Sequence, residues 1–170
     1  MNIKTERLEI TEFTLDMVEA VHLNSLDEDN RKFNPDEVFE TMEDAQGTVE
    51  FLMSVYENGD GPLVYPVVLN DGTNVGYVQA VPMDDDKWEV GYHIAKAYAG
   101  KGYATEAVKA FLPVVMKDLG ISEILGICVA ENIASIKVLE KTGFEKIYEG
   151  MGTYQDQERE ICKFVYKLGN

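Results

Sequence analysis

The sequence predicts a mixed α/β fold, formed by residues 1–170 as a single domain. The length of 170 residues lies in the range of about 100–200 that one domain usually has. Hydrophobic residues make up 45% of the chain, which is enough to form a core. Residues 88–144 follow the order strand, glycine turn, helix, strand, helix, which is typical of a sheet covered by helices.

The N-terminal half is predicted to alternate strands and helices. Apolar residues at a loose period of two predict a strand over residues 3–13. Thr14 can cap a short helix, and Thr41 can cap a longer one. Residues 24–36 are polar and are predicted to form a loop with at most one helical turn. Three further strands are then predicted, over residues 63–69, 74–81 and 87–95.

The C-terminal half contains two predicted helices around a strand. The first follows Gly102, and Pro113 should kink it or shift its end. The continuous apolar run at residues 122–130 predicts a strand buried on both faces. Asn132 is a strong candidate to cap the second helix. Two closing strands are predicted over residues 144–148 and 160–168.

Charge and cysteine content exclude several classes of protein. The chain has 15 Lys and Arg against 31 Asp and Glu, a net charge of −16, whereas nucleic-acid binding needs a basic face. The balance suits a cationic or amine substrate, and it also suits simple solubility. Cys128 and Cys162 are too few for a disulfide framework and lack neighbours at metal-ligand spacing, so no metal is predicted.

Targeting signals also bear on where the chain acts. No apolar run approaches the roughly 20 residues of a membrane helix, and residues 1–13 contain no signal-peptide core. We therefore expect a cytoplasmic protein with neither a membrane nor a nucleic acid among its partners.

Gly100-Lys101-Gly102 is a candidate phosphate site because it precedes a helix. Amides at a helix start lack partners and carry the positive end of the helix dipole, and glycines allow a phosphate to approach the backbone. The turn is not a P-loop and lacks the third glycine of the dinucleotide fingerprint. Taken alone, it could equally be an ordinary tight turn.

Four segments together resemble the GCN5-related N-acetyltransferases (GNAT), in the branch of the ribosomal-protein-alanine N-acetyltransferases. The segments are Thr5-Glu6-Arg7-Leu8, Glu89-Val90-Gly91-Tyr92, Gly100 through Ala107, and Asn132-Ile133-Ala134-Ser135 with Gly143-Phe144. The resemblance implies a mixed, mostly antiparallel twisted sheet of about seven strands, with helices on both faces. It also implies that the sheet splays open beside its central strand and that acetyl-CoA, the co-substrate, binds there.

The resemblance implies a set of residues that contact acetyl-CoA. They are His93, Ile94, Ala95, Gly100, Lys101, Gly102, Tyr103, Ala104, Asn132 and Ser135. Lys137 is a further candidate for the phosphates, and Tyr154 and Gln155 for the acceptor side. The chain departs from the family at Ala97, where Gln or Arg is frequent, and at Leu139, where many members carry an acidic tyrosine.

The implied reaction transfers an acetyl group to a primary amine, either a small amine or a peptide N-terminus, in a ternary complex. Glu89 is the candidate base, and the alternative is a solvated strand carboxylate. Ser135 is the candidate proton donor to the thiolate, and the alternative is a helix-surface serine. His93 is either a second base or a packed histidine.

Two other classes of function stay open on sequence alone. One is a CoA-binding sensory module that has lost catalysis, and the other is a nucleotide-binding module that uses the same glycine turn. The residues name no acceptor amine, and they leave both a monomer and a homodimer open.

Overall fold

The computed structural model describes residues 1–169, which form one eight-stranded sheet with helices on both faces. The strands are β1 Ile3–Lys4, β2 Leu8–Ile10, β3 Leu63–Leu69, β4 Asn74–Pro82, β5 Trp88–Ile94, β6 Glu123–Val129, β7 Glu145–Tyr154 and β8 Gln157–Lys167. The helices are α1 Val18–Asn24, α2 Glu28–Phe33, α3 Met42–Asn58, α4 Tyr103–Leu119 and α5 Ile133–Lys141.

The strand order in the sheet is β1-β2-β3-β4-β5-β6-β8-β7. Neighbouring strands are antiparallel except for β5 and β6, which are parallel. The predicted mixed, mostly antiparallel sheet is thereby confirmed. The sheet has one strand more than the predicted seven, because a turn at Thr5, whose N–H donates to the Leu8 carbonyl at 2.9 Å, divides the predicted first strand.

Each face of the sheet has its own apolar cluster. Helices α4 and α5 cover one face, where Phe111, Leu139 and Phe164 are fully buried. Helices α1 and α3 cover the other face, where Ala45 and Val49 are fully buried. Among residues 1–169, no helix is both long and apolar enough to cross a membrane.

Helix α4 and strand β6 can be compared with their predicted end and burial. Helix α4 continues through Pro113 to Leu119 and is followed by Gly120, which has a left-handed φ of 67°, so the proline does not shift its end. On β6, Ile124 and Cys128 are buried on one face, whereas Leu125 and Ile127 on the other face are half-buried and Val129 is buried. The predicted burial of both faces is therefore met on one face and only in part on the other.

Two segments predicted as loops are regular structure. The polar segment over residues 24–36 contains α2, whose N-cap Asp27 accepts a hydrogen bond from the Asn30 amide at 2.7 Å. Strands β7 and β8 are longer than predicted and meet in a two-residue turn, Gln155-Asp156, with φ values of 54° and 60°. Tyr154 therefore ends a strand, and Gln155 lies in a tight turn rather than a long loop.

Candidate active site

The site lies where the sheet opens between its two parallel strands. Among described residues, β5 and β6 share a single register pair, Glu89 with Leu125, although each strand has seven residues. Beyond this pair the strands separate and leave a cleft of about 800 Å³. This confirms the predicted splay at the central strands.

The backbone of β5 presents amides to this gap. The Ala95 N–H donates to the Val75 carbonyl on β4 at 2.9 Å. Because hydrogen-bonded and non-hydrogen-bonded pairs alternate along antiparallel strands, the His93 amide also faces β4, while the Tyr92 and Ile94 amides face the gap. His93, Ile94 and Ala95 were the three residues of this segment predicted to contact acetyl-CoA. Of these, only Ile94 has an N–H that faces the gap.

The glycine turn has the backbone shape that close approach of a phosphate requires. Gly100 and Gly102 have φ values of 79° and 81°, in the left-handed region that side chains disfavour. Gly102 is the N-cap of α4, so the amides of Tyr103 and Ala104 belong to the unpaired first turn. These four residues line the cleft, whereas the Lys101 side chain is exposed and outside the lining.

Arg7, which lies near the N-terminus, contacts this turn. Sequence reasoning did not predict that role. Its Nη1 donates to the Lys101 carbonyl at 2.8 Å, and its Nε donates to Glu106 Oε2 at 2.7 Å. Its guanidinium also lies 4.6 Å from the centre of the Tyr103 ring. Thr5 Oγ1 donates to Glu106 Oε1 at 2.9 Å. Arg7 and Glu106 belong to two of the segments that carry the family resemblance. That shared membership was the sequence signal from which their contact could have been predicted.

Glu89 lies beside the gap with its carboxyl group largely buried. Burial raises its pKa to about 7, with a further increase from the charge of Glu37, while a hydrogen bond from the Tyr154 hydroxyl at 3.5 Å opposes the shift. Burial also raises the pKa of Tyr154, which therefore keeps its proton. A carboxyl group that ionises near neutral pH is suited to general-base catalysis.

His93 is occupied by a structural contact. Its Nε2 lies 3.2 Å from Asp27 Oδ2, and the two side chains are 11% and 13% exposed. Burial lowers the pKa of His93 even though Asp27 raises it, so the ring is neutral at pH 7 and Nε2 donates to the carboxylate. Because Asp27 also caps α2, the pair fastens that helix to β5. The geometry favours the packed alternative for His93.

The start of α5 brings Ser135 together with a tyrosine of β5. Asn132 Oδ1 accepts from the Ser135 amide at 3.2 Å and so caps the helix. The Tyr92 hydroxyl lies 2.9 Å from both the carbonyl and the Oγ of Ser135. Burial raises the pKa of Tyr92, which keeps it protonated. Tyr92 was not among the predicted site residues, and its position facing α5 could be deduced only once the helix was placed.

The remaining residues of the cofactor side have distinct environments. Leu139 is 1% exposed and occupies the space over Gly126, where a Cβ would lie 2.5 Å from the leucine Cδ2. Cys128 lines the cleft, and burial raises its pKa to about 12. Lys137, a candidate for the phosphates, lines the cleft. Within residues 1–169, no group of three or more His, Cys, Asp or Glu side chains could hold a metal ion.

The acceptor side of the cleft is formed by α2, by the chain that follows it and by the β7–β8 turn. Tyr154 and Gln155 both line it. Gln155 Nε2 donates to the Phe33 carbonyl at 2.8 Å, which ties the turn to the end of α2. The cleft therefore connects the glycine turn on one side of the gap with the carboxyl group of Glu89 on the other.

Comparison with known proteins identifies the family. A family model described as "Acetyltransferase (GNAT) domain" matches residues 7–145. The uncharacterised N-acetyltransferase YnaD of Bacillus subtilis (strain 168) is 32% identical over 148 residues, which cover 86% of this chain and 84% of that protein.

Solved structures agree with this match. A GNAT-family acetyltransferase from Bacillus anthracis is 29% identical and superposes with a TM-score of 0.82 over 98% of each chain. A RimL ribosomal L7/L12 alpha-N-protein acetyltransferase in complex with coenzyme A is 15% identical and superposes with a TM-score of 0.82, also over 98% of each chain. At that identity the likeness concerns the fold. The chain therefore belongs to the GNAT family of N-acetyltransferases and has the fold of its RimL-type members.

Proposed function

We propose that the protein transfers the acetyl group of acetyl-CoA directly to the primary amine of a small molecule or a peptide N-terminus, within a ternary complex. The observation that carries this proposal is the cleft between β5 and β6. It connects the glycine turn at the start of α4 with the buried carboxyl group of Glu89, whose pKa is about 7. The family match supports the acetyl transfer.

Acetyl-CoA is the substrate for which the cofactor side is suited. Its pyrophosphate accepts hydrogen bonds from the backbone between Gly100 and Ala104, where the glycine conformations and the helix dipole favour an anion. Lys137 supplies a nearby positive charge. The pantetheine arm lies along β5, whose Tyr92 and Ile94 amides face the gap.

The reaction needs a base on one side of the thioester and an acid on the other. The amine nitrogen attacks the thioester carbonyl carbon, the C–N bond forms, and the amine proton passes to the Glu89 carboxylate directly or through water. The Ile94 amide stabilises the oxyanion that forms. The C–S bond then breaks, and the thiolate takes a proton from Ser135, which regains one from Tyr92 through their 2.9 Å contact. Solvent then returns a proton to Tyr92 and takes the one held by Glu89, which completes the cycle.

Direct attack is favoured over an acetylated-enzyme route. Cys128 is the thiol of the cleft lining, and its pKa of about 12 keeps it protonated and poorly nucleophilic at neutral pH. A carboxyl base beside the gap has a clear role in direct attack, because the acceptor ammonium must lose a proton before it can react.

Steady-state kinetics over a panel of small amines and short peptides tests the proposal. We expect turnover with at least one member, and double-reciprocal lines that intersect when acetyl-CoA and amine are both varied. Parallel lines would indicate a covalent intermediate. Binding of acetyl-CoA by calorimetry without turnover on any amine would instead support a CoA-binding module.

A further inference from the structure

The acceptor side of the cleft contains a second buried carboxyl group, Glu37, which the transfer reaction does not use. Glu37 follows α2 and lines the cleft together with Glu89. Its Oε1 accepts a hydrogen bond from Gln79 Nε2 at 3.1 Å. Its Oε2 is buried and has no hydrogen-bond partner among residues 1–169. Such an oxygen is costly to maintain unless a ligand supplies the missing donor.

Several contacts fix Glu37 in this position. The fully buried Asn30 donates from Nδ2 to the Glu37 carbonyl at 3.1 Å, and the Glu37 amide donates to the Asn34 carbonyl at 2.9 Å. Gln79 reaches the carboxylate by crossing Gly91, where any Cβ would lie 2.5 Å from its side chain. The unpaired oxygen therefore belongs to a rigid, built arrangement.

The other unpaired group of this cleft is also an acceptor. Gln155 Oε1 is buried without a hydrogen-bond partner in the described chain. Its orientation is fixed, because Nε2 donates to the Phe33 carbonyl, which can only accept. Gln155 adopts a φ of 54°, which is uncommon for a residue with a side chain, so its position in the turn is maintained at some cost.

The charges around this side of the cleft have one predominant sign. Acidic residues contribute four carboxyl groups to the lining on this side: Asp29, Asp36, Glu37 and Glu89. Asp27 also lines the cleft, but its carboxylate already accepts from His93 and from the Lys96 amide. The lysines of the lining come from α5 and from the segment after β5: Lys96, Lys137 and Lys141. A ligand that suits the unpaired oxygens must donate hydrogen bonds and carry positive charge.

We propose that the acceptor is a linear aliphatic diamine or polyamine, whose reacting amine lies at Glu89 while a second ammonium group binds Glu37 Oε2 with the Gln155 carbonyl oxygen nearby. This inference rests on the proposed acetyl transfer and specifies its substrate class.

The sheet register sets the scale for choosing a test acceptor. Gln79, which holds Glu37, pairs with Gly91, two residues along β5 from Glu89. Two residues of an antiparallel strand span about 7 Å. At roughly 1.2 Å of extended length per bond, as in an extended backbone, that span corresponds to about six bonds. The 1,5-diaminopentane chain has this length between its nitrogens.

A matched pair of acceptors isolates the second charge. 1,5-Diaminopentane and pentylamine share the reacting amine and the carbon chain. We expect kcat/KM for the diamine to exceed that for pentylamine by about tenfold or more, as for a charged hydrogen bond. The Glu37→Gln variant, which keeps the acceptor for Gln79, should reduce this ratio to near one. The ratio is the readout because any change that the lost charge causes at Glu89 affects both amines equally. The exposed Glu57→Gln serves as the matched control.

Three results would overturn the proposal. The first is equal kcat/KM for the two amines in the wild-type protein, and the second is a loss of kcat/KM in Glu37→Gln that is the same for both amines. A peptide N-terminus used better than any diamine with three to six carbons would also overturn it. Calorimetry of 1,5-diaminopentane with the CoA-loaded protein separates this failure from failure of the transfer function. If the wild-type protein binds 1,5-diaminopentane and Glu37→Gln does not, the proposed ammonium site at Glu37 is supported even when no amine is acetylated.

Discussion

At the scale of single residues, β5 positions groups of opposite function on its two sides. Glu89 points towards the acceptor, and its pKa of about 7 allows it to take a proton at neutral pH. Tyr92 points towards α5, and burial keeps it protonated. Because side chains alternate along a strand, residues three apart lie on opposite faces. In the proposed mechanism, one strand thereby separates the base from the acid across the thioester.

The Tyr92–Ser135 pair predicts coupled losses of rate. Ser135→Ala and Tyr92→Phe should each lower kcat by about tenfold to a hundredfold, because each removes one member of a single proton relay. The double variant should be no slower than the slower single variant. The CoA Kd should stay within a few fold. Rates at saturating substrates and calorimetry check this, and a silent Ser135→Ala would show that the thiolate leaves unaided.

Leu139 shows where the sequence could not decide. The family comparison marks it as the missing tyrosine, but only the structure shows that it fills the space above Gly126 in the core. The neighbouring Tyr92 comes from a different element, so no local pattern connects the two. Glu89, by contrast, could be proposed from the sequence, because it stands in one of the four segments that carry the family resemblance.

At the scale of elements, the glycine turn and α4 form the proposed binding unit for the pyrophosphate. Both glycines of the turn have left-handed φ values, so a side chain there adds strain as well as bulk. Gly120 at the other end of α4 has a similar φ of 67° but lies outside the cleft lining. Substitutions at Gly102 and at Gly120 therefore cause similar backbone strain, but only the one at Gly102 can affect binding in the cleft.

Gly102→Val is expected to lower both stability and CoA affinity. Strain at a left-handed position costs about 1–2 kcal/mol of stability in each of Gly102→Val and Gly120→Val. Only Gly102→Val should also weaken CoA binding, by about tenfold or more, because the pyrophosphate can no longer reach the backbone. Thermal unfolding and calorimetry measure the two effects. Equal CoA affinity in the two folded variants would contradict phosphate binding at this turn.

The Arg7 contacts predict that the N-terminal strands support co-substrate binding. Arg7→Ala should raise the CoA Kd several-fold, because the Lys101 carbonyl and Glu106 lose their shared partner. Its stability cost should be below about 1 kcal/mol, since the side chain is 43% exposed. Arg31→Ala, which removes an exposed ion pair with Glu40, is the matched control. An unchanged Kd in Arg7→Ala would mean that the turn keeps its shape unaided.

Helix α2 and the β7–β8 hairpin show the limit of sequence reasoning at this scale. The Asp27 cap and the Gln155-Asp156 turn depend on side chains that bond to distant segments, namely His93 and Phe33. The turn contains neither Gly nor Asn, which are the usual signals for its backbone shape. The strands from β3 to β5 and the helices α3 and α4 had local patterns strong enough to predict.

At the scale of the whole molecule, one sheet opens between its two parallel strands. The pair β5–β6 meets at Glu89 and then diverges, so the proposed base lies at the point where the gap begins. The order of the strands in the sheet required the family resemblance, because no periodicity states which strands are neighbours. The resemblance predicted the splay, and the structure supplied the acceptor side.

The pH dependence of kcat/KM for the acceptor amine, at saturating acetyl-CoA, tests Glu89 as the base most directly. The carboxylate is the active form, so activity should be low below the pKa of about 7 and should rise as the pH increases through it. Glu89→Gln should lower kcat/KM by about 10²–10⁴-fold and lose the inflection near pH 7, while the CoA Kd stays within a few fold. A Glu89→Gln variant within about twofold of wild type, with the inflection unchanged, would contradict general-base catalysis by Glu89.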